Sequence, residues 1–235
     1  MKSLKLEYKS VSESEQIYNR IVSALFMLKE RDCMNSFVFT GCERQVGNTT
    51  VCLNIAAELA HAGKKTLFVD CDFLKPANQK RLYQFVDVGL SEHLSGTTKL
   101  DEIIYHTDTT SLHYISSGNN SLNPTMMLWS NEFIDFITHV TQEYEFVIFD
   151  TAPVLAAPEV NILAYRASGT ILTVQFGKSS KSQIYASKKE LEKLKPNFLG
   201  AIVNKTPDNE IRIYQKTHGF SLVLKGSQDT IKTDD

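Results

Sequence analysis

Six short apolar, β-prone runs recur along this chain, separated mostly by stretches with helical spacing. They are "SFVFT" (36–40), "TLFVD" (66–70), "LHYIS" (112–116), "EFVIFD" (145–150), "TILTVQF" (170–176) and "FLGAIVN" (198–204). Several are almost continuously apolar, as strands covered on both faces must be. Helical patterns occupy 49–62, 130–142, 159–166 and 180–194, with a shorter irregular set within 77–104. This alternation predicts an α/β fold, a doubly wound and mostly parallel sheet flanked by helices, with right-handed connections. In such sheets ligands bind where the loops gather, at the carboxyl ends of the strands. Before the first strand, Ile17, Ile21, Ala24, Leu25 and Leu28 form an apolar stripe that predicts an N-terminal helical segment over 12–34. Beyond Glu210 the periodicity is lost, and 210–235 reads as a loosely ordered tail. With 235 residues, no repeats and no linker, a single domain over 1–235 is expected.

Charge and hydropathy exclude several functions. Lys plus Arg number 25 against 27 Asp plus Glu, so no basic field points to nucleic acid. No apolar stretch reaches the roughly 18–20 residues that span a bilayer, and "MKSLKLEYKS" has no signal-peptide h-region. The expected location is the cytoplasm, with any membrane recruitment supplied by a partner. Cys33, Cys42, Cys52 and Cys71 form no CxxC pair and read as reduced thiols. The Lys-rich "GKSSKSQIYASKKELEKLK" (177–195) interleaves Glu190 and Glu192 and reads as a solvated helix face.

The chemistry concentrates after the first and second strands and at the end of the fourth. "TGCERQVGNTTVCLNIA" (40–56) has the outline of a phosphate loop: strand, irregular stretch with Gly47, then helix. In the form GxxxxGK[ST], a lysine follows the second glycine; here that position is Asn48. Thr49 stands where such loops place a Mg²⁺-binding hydroxyl, and the helix start offers free N–H groups and a positive dipole end to phosphate. Asp70 and Asp72 end the second strand and Asp150 ends the fourth. Burying an acid after four apolar residues is costly unless a cation or donors meet it, and beside a phosphate loop the natural partner is Mg²⁺ on a nucleotide. Asp70 and Asp72 share a face in extended chain and can serve one metal centre. Each piece also has a purely structural reading: a strand-ending Asp as a turn or cap, Thr49-Thr50 as a helix cap, "VGNT" as a turn. Their joint occurrence in this order favours a site.

That order resembles the cytosolic kinase domain of bacterial tyrosine kinases from capsule and exopolysaccharide clusters, within the deviant-Walker P-loop ATPases. The likeness runs from about residue 12 to about 220. "HAGKKTLFVDCDFLKP" is similar to the family's Walker A′ stretch, "VGLSEHLSG" to its GLSDxLxG stretch, and "EYEFVIFDTAPVLAAPEVNILA" to its Walker B stretch. "LGAIVNK" resembles the strand whose Asn, here Asn204, lies with its following loop against the base. The resemblance implies ATP or ADP with Mg²⁺ as cofactor. It implies Asp70 and Asp72 as catalytic, Asp70 activating a tyrosine hydroxyl. Thr49, Asp72 and Asp150 would surround the metal, and Arg44, Gly47, Asn48, Thr49 and Thr50 would hold phosphate. It further implies a transmembrane polysaccharide chain-length regulator as partner, acting through its cytoplasmic tail, and no nucleic acid.

The departures carry as much information. The family loop reads PGEGK[ST]; here it is Arg44-Gln45-Val46-Gly47-Asn48-Thr49. Losing a charged phosphate contact costs about 1.5–3 kcal/mol in binding and typically about 10²–10³ in rate. Gln45 brings a Cβ where the backbone must approach phosphate. Glu43 holds the signature-lysine position with the wrong sign, and Arg44 is the candidate substitute cation. The family's ExxRxxR assembly pattern aligns with Gln16, Asn19 and Val22, so the contacts for a closed ring are degraded. In place of a C-terminal tyrosine cluster, only Tyr214 follows Tyr185. The sequence therefore reads as a divergent, kinase-impaired family member (a pseudokinase) that binds nucleotide and regulates polysaccharide synthesis. The alternatives are an active tyrosine kinase and a partition-type ATPase acting on DNA or membrane.

Overall fold

The continuous apolar runs form strands and the spaced ones form helices, in the predicted order. The computed structural model describes residues 3–4, 12–74, 86, 88–119, 123–193, 197–207 and 222–225. In chain order the elements are β1 (Ser3–Leu4), α1 (Ser12–Asp32), β2 (Ser36–Gly41), α2 (Asn48–His61), β3 (Thr66–Cys71), α3 (Leu90–Leu94), α4 (Leu100–Ile103), β4 (Tyr105–Thr107) and β5 (Leu112–Ile115). Then follow α5 (Pro124–Trp129), α6 (Asn131–Glu143), β6 (Phe146–Thr151), α7 (Glu159–Arg166), β7 (Gly169–Gln175), α8 (Lys181–Glu192), β8 (Phe198–Thr206) and β9 (Leu222–Lys225). The nine strands among the described residues join one sheet in the order β1-β4-β5-β3-β6-β2-β7-β8-β9. Every pairing among the described residues is parallel except β4 with β5.

Strand alternation sorts the core onto two faces. Phe37, Phe39, Phe68, Tyr114, Phe146 and Ile148 pack under Ile21 and Leu25 of α1 and Val51, Ile55 and Leu59 of α2. The opposite faces of the same strands carry Val38, Leu67, Val69, Val147 and Phe149, covered by Phe133, Phe136 and Val140 of α6. A third group, with Leu172, Val174, Val160, Ala164 and Leu191, joins β7 to α7 and α8. β2, β3 and β6 are buried at every position, the signature of central strands roofed on both sides.

The structure departs from the sequence reading in small elements. α5 starts with Pro124, and Asn123 caps it by accepting from the Met126 N–H (3.2 Å). β4 is short and antiparallel to its neighbour, and β9 pairs with β8 inside the stretch read as a loose tail (Ile202↔Leu222). Val22, aligned with an assembly position, is buried in the core at 4% exposure, so it is a packing residue of α1. The side chain of Gln16, residue Tyr214 and most of the irregular set before α3 lie outside the described residues. No described helix is long and apolar enough to cross a membrane.

Candidate functional site

Three adjacent parallel strands aim their carboxyl ends at the start of α2. β2 pairs with β6 through Phe39↔Asp150, and β3 pairs with β6 through Asp70↔Asp150 and Cys71↔Thr151. The ladder register therefore places Asp70 beside Asp150. The loop from β2 to α2 closes over them and leaves a cleft of about 270 Å³. Arg44, Gly47, Asn48, Thr49, Thr50 and Asp72 line it, with Gln45, Leu74 and Thr151–Pro153. Asp70 and Asp150 lie beneath, fully buried. The structure thus brings together all the predicted site residues except Asn204, which stands behind the loop.

The loop backbone is sharply folded. Gly47 precedes α2 at φ 88, a conformation that favours glycine, and a Cβ there would stand 2.4 Å from Asn204 Nδ2. Gln45 adopts φ 65 although it has a Cβ, which costs about 1–2 kcal/mol. Side chains from three directions hold this shape. Asn204 Nδ2 donates to the Val46 carbonyl (2.8 Å), and Lys205 Nζ donates to the Gln45 carbonyl (3.2 Å). Glu43 accepts from the Ser179 hydroxyl (2.9 Å) and from Gln183 Nε2 (3.4 Å) at the start of α8. Asn204 therefore serves as a latch on the loop in this structure. Val46 turns inward among Val154 and Ala157.

Asn48 also turns inward. Its Nδ2 donates to Phe39 O (2.9 Å), Asp150 Oδ1 (2.8 Å) and, at 3.3 Å, Thr151 O. Its Oδ1 accepts from the Thr173 hydroxyl (2.7 Å). The amide is fully engaged with protein, so at this residue only the backbone N–H remains to face phosphate. Arg44 is exposed at the cleft and makes no hydrogen bond or ion pair among the described residues.

The acids are held by neutral groups. Besides Asn48, Cys52 Sγ approaches Asp150 Oδ1 at 3.6 Å, while Asp150 Oδ2 is buried with no hydrogen-bond partner among the described residues. Burial pushes the Asp150 pKa from 3.8 up to about 7; the polar groups of Thr49, Cys52 and Asn48 oppose the rise, and the charge of Asp72 adds to it. Asp70 Oδ1 accepts the Asp72 N–H (3.0 Å), and the Tyr114 hydroxyl lies 3.5 Å from Oδ2. Burial, then the charge of Asp70, pushes the Tyr114 hydroxyl well above the usual tyrosine range. An orphaned carboxylate oxygen below a threonine hydroxyl and a second acid suits a hard cation such as Mg²⁺. Among the described residues, no three His, Cys, Asp or Glu side chains are grouped to hold a metal alone. Mg²⁺ that keeps water and phosphate ligands needs no such cage.

Sequence reasoning missed Thr173, Ser179, Cys52 and Lys205. A buried Thr inside the apolar run of β7 was a signal for the first, and Lys205 directly follows the quoted Asn204.

The tyrosine-protein kinase CpsD of Streptococcus pneumoniae serotype 4 is 31% identical over 205 residues, covering 86% of this chain and 87% of that protein. The chain belongs to the bacterial tyrosine-kinase family of P-loop ATPases. The AAA domain family also matches residues 43–202. A putative tyrosine-protein kinase in the cps region of Klebsiella pneumoniae is 31% identical over 178 residues; the match covers 76% of this chain and 24% of that longer protein. The kinase domain of the Escherichia coli tyrosine kinase ETK superposes with a TM-score of 0.76 at 25% identity, covering 80% of this chain and 74% of that one. The septum site-determining protein MinD of Pyrococcus horikoshii, complexed with Mg-ADP, covers 83% of this chain and 82% of its own at TM-score 0.64. At 21% identity it shows the shared fold alone.

Proposed function

We propose that this tyrosine-kinase family member binds Mg-nucleotide weakly, transfers phosphoryl groups little or not at all, and regulates capsular or exopolysaccharide synthesis. The observation that carries this reading is Asn48: the position that should supply an ammonium to phosphate holds a neutral amide bonded inward to Asp150, Phe39 and Thr173. The N–H groups of Gly47 to Thr50 and the positive end of α2 remain to cradle phosphate. Among the described residues that line the cleft, Arg44 is the cation. Thr49, Asp72 and Asp150 would hold Mg²⁺, which when bound neutralises phosphate charge. Asp70 stands where a general base for a tyrosine hydroxyl is wanted, but an internal N–H and the Tyr114 hydroxyl already approach its oxygens. The expected partner is the cytoplasmic tail of a transmembrane chain-length regulator, which would bring the protein to the inner face of the membrane.

Calorimetric titration with MgADP and MgATP, beside a lysine-bearing relative, tests the reading. Affinity should be weaker by about 10–150-fold, the equivalent of about 1.5–3 kcal/mol. Robust autophosphorylation abolished by Asp70→Asn would establish the active-kinase reading instead, which an Arg44 with no hydrogen bond or ion pair among the described residues favours. A partition-type role predicts salt-dependent DNA binding, which we expect to be absent.

A further inference from the structure

We propose that Asn48 and Thr173 are a matched pair of positioning residues, a brace that holds the phosphate loop and Asp150 in one arrangement before any nucleotide arrives. The inference rests on the nucleotide-site reading only for its binding arm. Three strands meet at this one amide: Phe39 from β2, Asp150 and Thr151 from β6, Thr173 from β7. The partners Asp150 and Thr173 lie 102 and 125 residues away in sequence. The brace therefore forms only when β2, β6 and β7 have come together.

Thr173 decides which way the amide points. Its hydroxyl, fully buried, donates to Oδ1, and this leaves the two Nδ2 hydrogens for two backbone carbonyls and a carboxylate. A flipped amide would set its oxygen against three acceptors. The main chain at the same residue adds a further tie, since Thr173 O accepts the Cys42 N–H at 3.0 Å. A lysine at position 48 is a donor only. It would offer the Thr173 hydroxyl no acceptor, so the threonine would have to accept instead of donate and its own hydrogen would lose the partner it has here. On this view Asn48 directs Asp150 through Oδ1 and leaves the buried Oδ2 without a hydrogen-bond partner among the described residues.

Thr173 lies outside the cleft lining, which makes it the informative position. In nucleotide-free full-length protein, Thr173→Val should speed hydrogen exchange of the loop amides at 42–51 by about tenfold or more, with α6 unaffected. It should also weaken MgADP binding by roughly 3–10-fold, although it touches no ligand. Asn48→Lys should loosen the same amides, and adding Thr173→Val to it should loosen them no further. Thr173→Ser, which keeps the hydroxyl, should retain wild-type protection. Unchanged loop exchange in Thr173→Val overturns the brace. So does loss of protection in Thr173→Ser, which would assign the role to the methyl group. Loosened exchange with unchanged MgADP affinity overturns the positioning of Asp150. A wild type that binds no MgADP would end the weak-binding reading, while the exchange comparison would still decide the brace.

Discussion

The two walls of the cleft are built by different means. The acidic wall is set by backbone pairing: Asp70 and Asp150 face each other because β3 and β6 are in register. The loop wall is set by side chains, with Asn204, Lys205, Ser179 and Thr173 reaching in from the ends of other elements. A position held by a ladder stays put whatever the neighbouring loop becomes. A loop held by side chains can exchange its ammonium for an amide if another residue accepts the change. This is how a family member can keep its acids and rebuild the loop that faces them.

The largest test of this contrast is the stability of the acidic wall. Burial raises the Asp150 pKa from 3.8 to about 7, so the folded state holds a proton that the unfolded chain releases. The stabilisation is complete below the unfolded value and is lost as pH rises through about 7. Denaturant unfolding of the nucleotide-free protein should thus show a loss of about 3–4 kcal/mol from this group between pH 4 and pH 8. Asp150→Asn should flatten that dependence and raise stability at pH 8, while weakening the Mg²⁺ dependence of nucleotide binding. A variant less stable than wild type at pH 8 would show that the carboxylate is not an electrostatic burden.

On the loop wall, Arg44→Ala should weaken MgADP binding about tenfold, the value of one charged contact of about 1.5 kcal/mol. Unchanged affinity by calorimetry would show that Arg44 does not contact the nucleotide. Lys205→Ala removes the tie to the Gln45 carbonyl and a longer one, at 3.4 Å, to Gln175 Oε1. We expect a loss of about 0.5–1 kcal/mol, measured as a fall of roughly 1–4 °C in Tm. Gln45→Gly should be nearly neutral in Tm. Relief of left-handed strain, worth about 1 kcal/mol, is offset by the greater freedom of glycine in the unfolded chain. A fall above about 4 °C would show that the Gln45 side chain supports the loop.

The strands of the acidic wall were legible because burial on both faces leaves an apolar run that ends where the acid begins. "FVIFD" and "LFVDCD" marked both the element and the end that reaches the cleft. The small additions were harder to read. β4 and β9 comprise three and four residues, too few to show a period, and their pairing is a tertiary property. α5 carried a usable signal, Asn123-Pro124 at its start, but at six residues it shows little periodicity. The inward turn of Asn48 was beyond any local pattern. It depends on an acid and a hydroxyl more than a hundred residues further along the chain.

The packing behind the loop also gives the molecule a chemical clock. Cys33 is the exposed thiol, while Cys42, Cys52 and Cys71 are buried, with Cys52 on α2 against Asp150 and Cys42 against Ser179. A thiol reagent should consume one equivalent quickly and the other three only as the fold breathes. The delay before Cys42 and Cys52 react would time how often the loop and the start of α2 lift from the sheet, with no nucleotide and no label required.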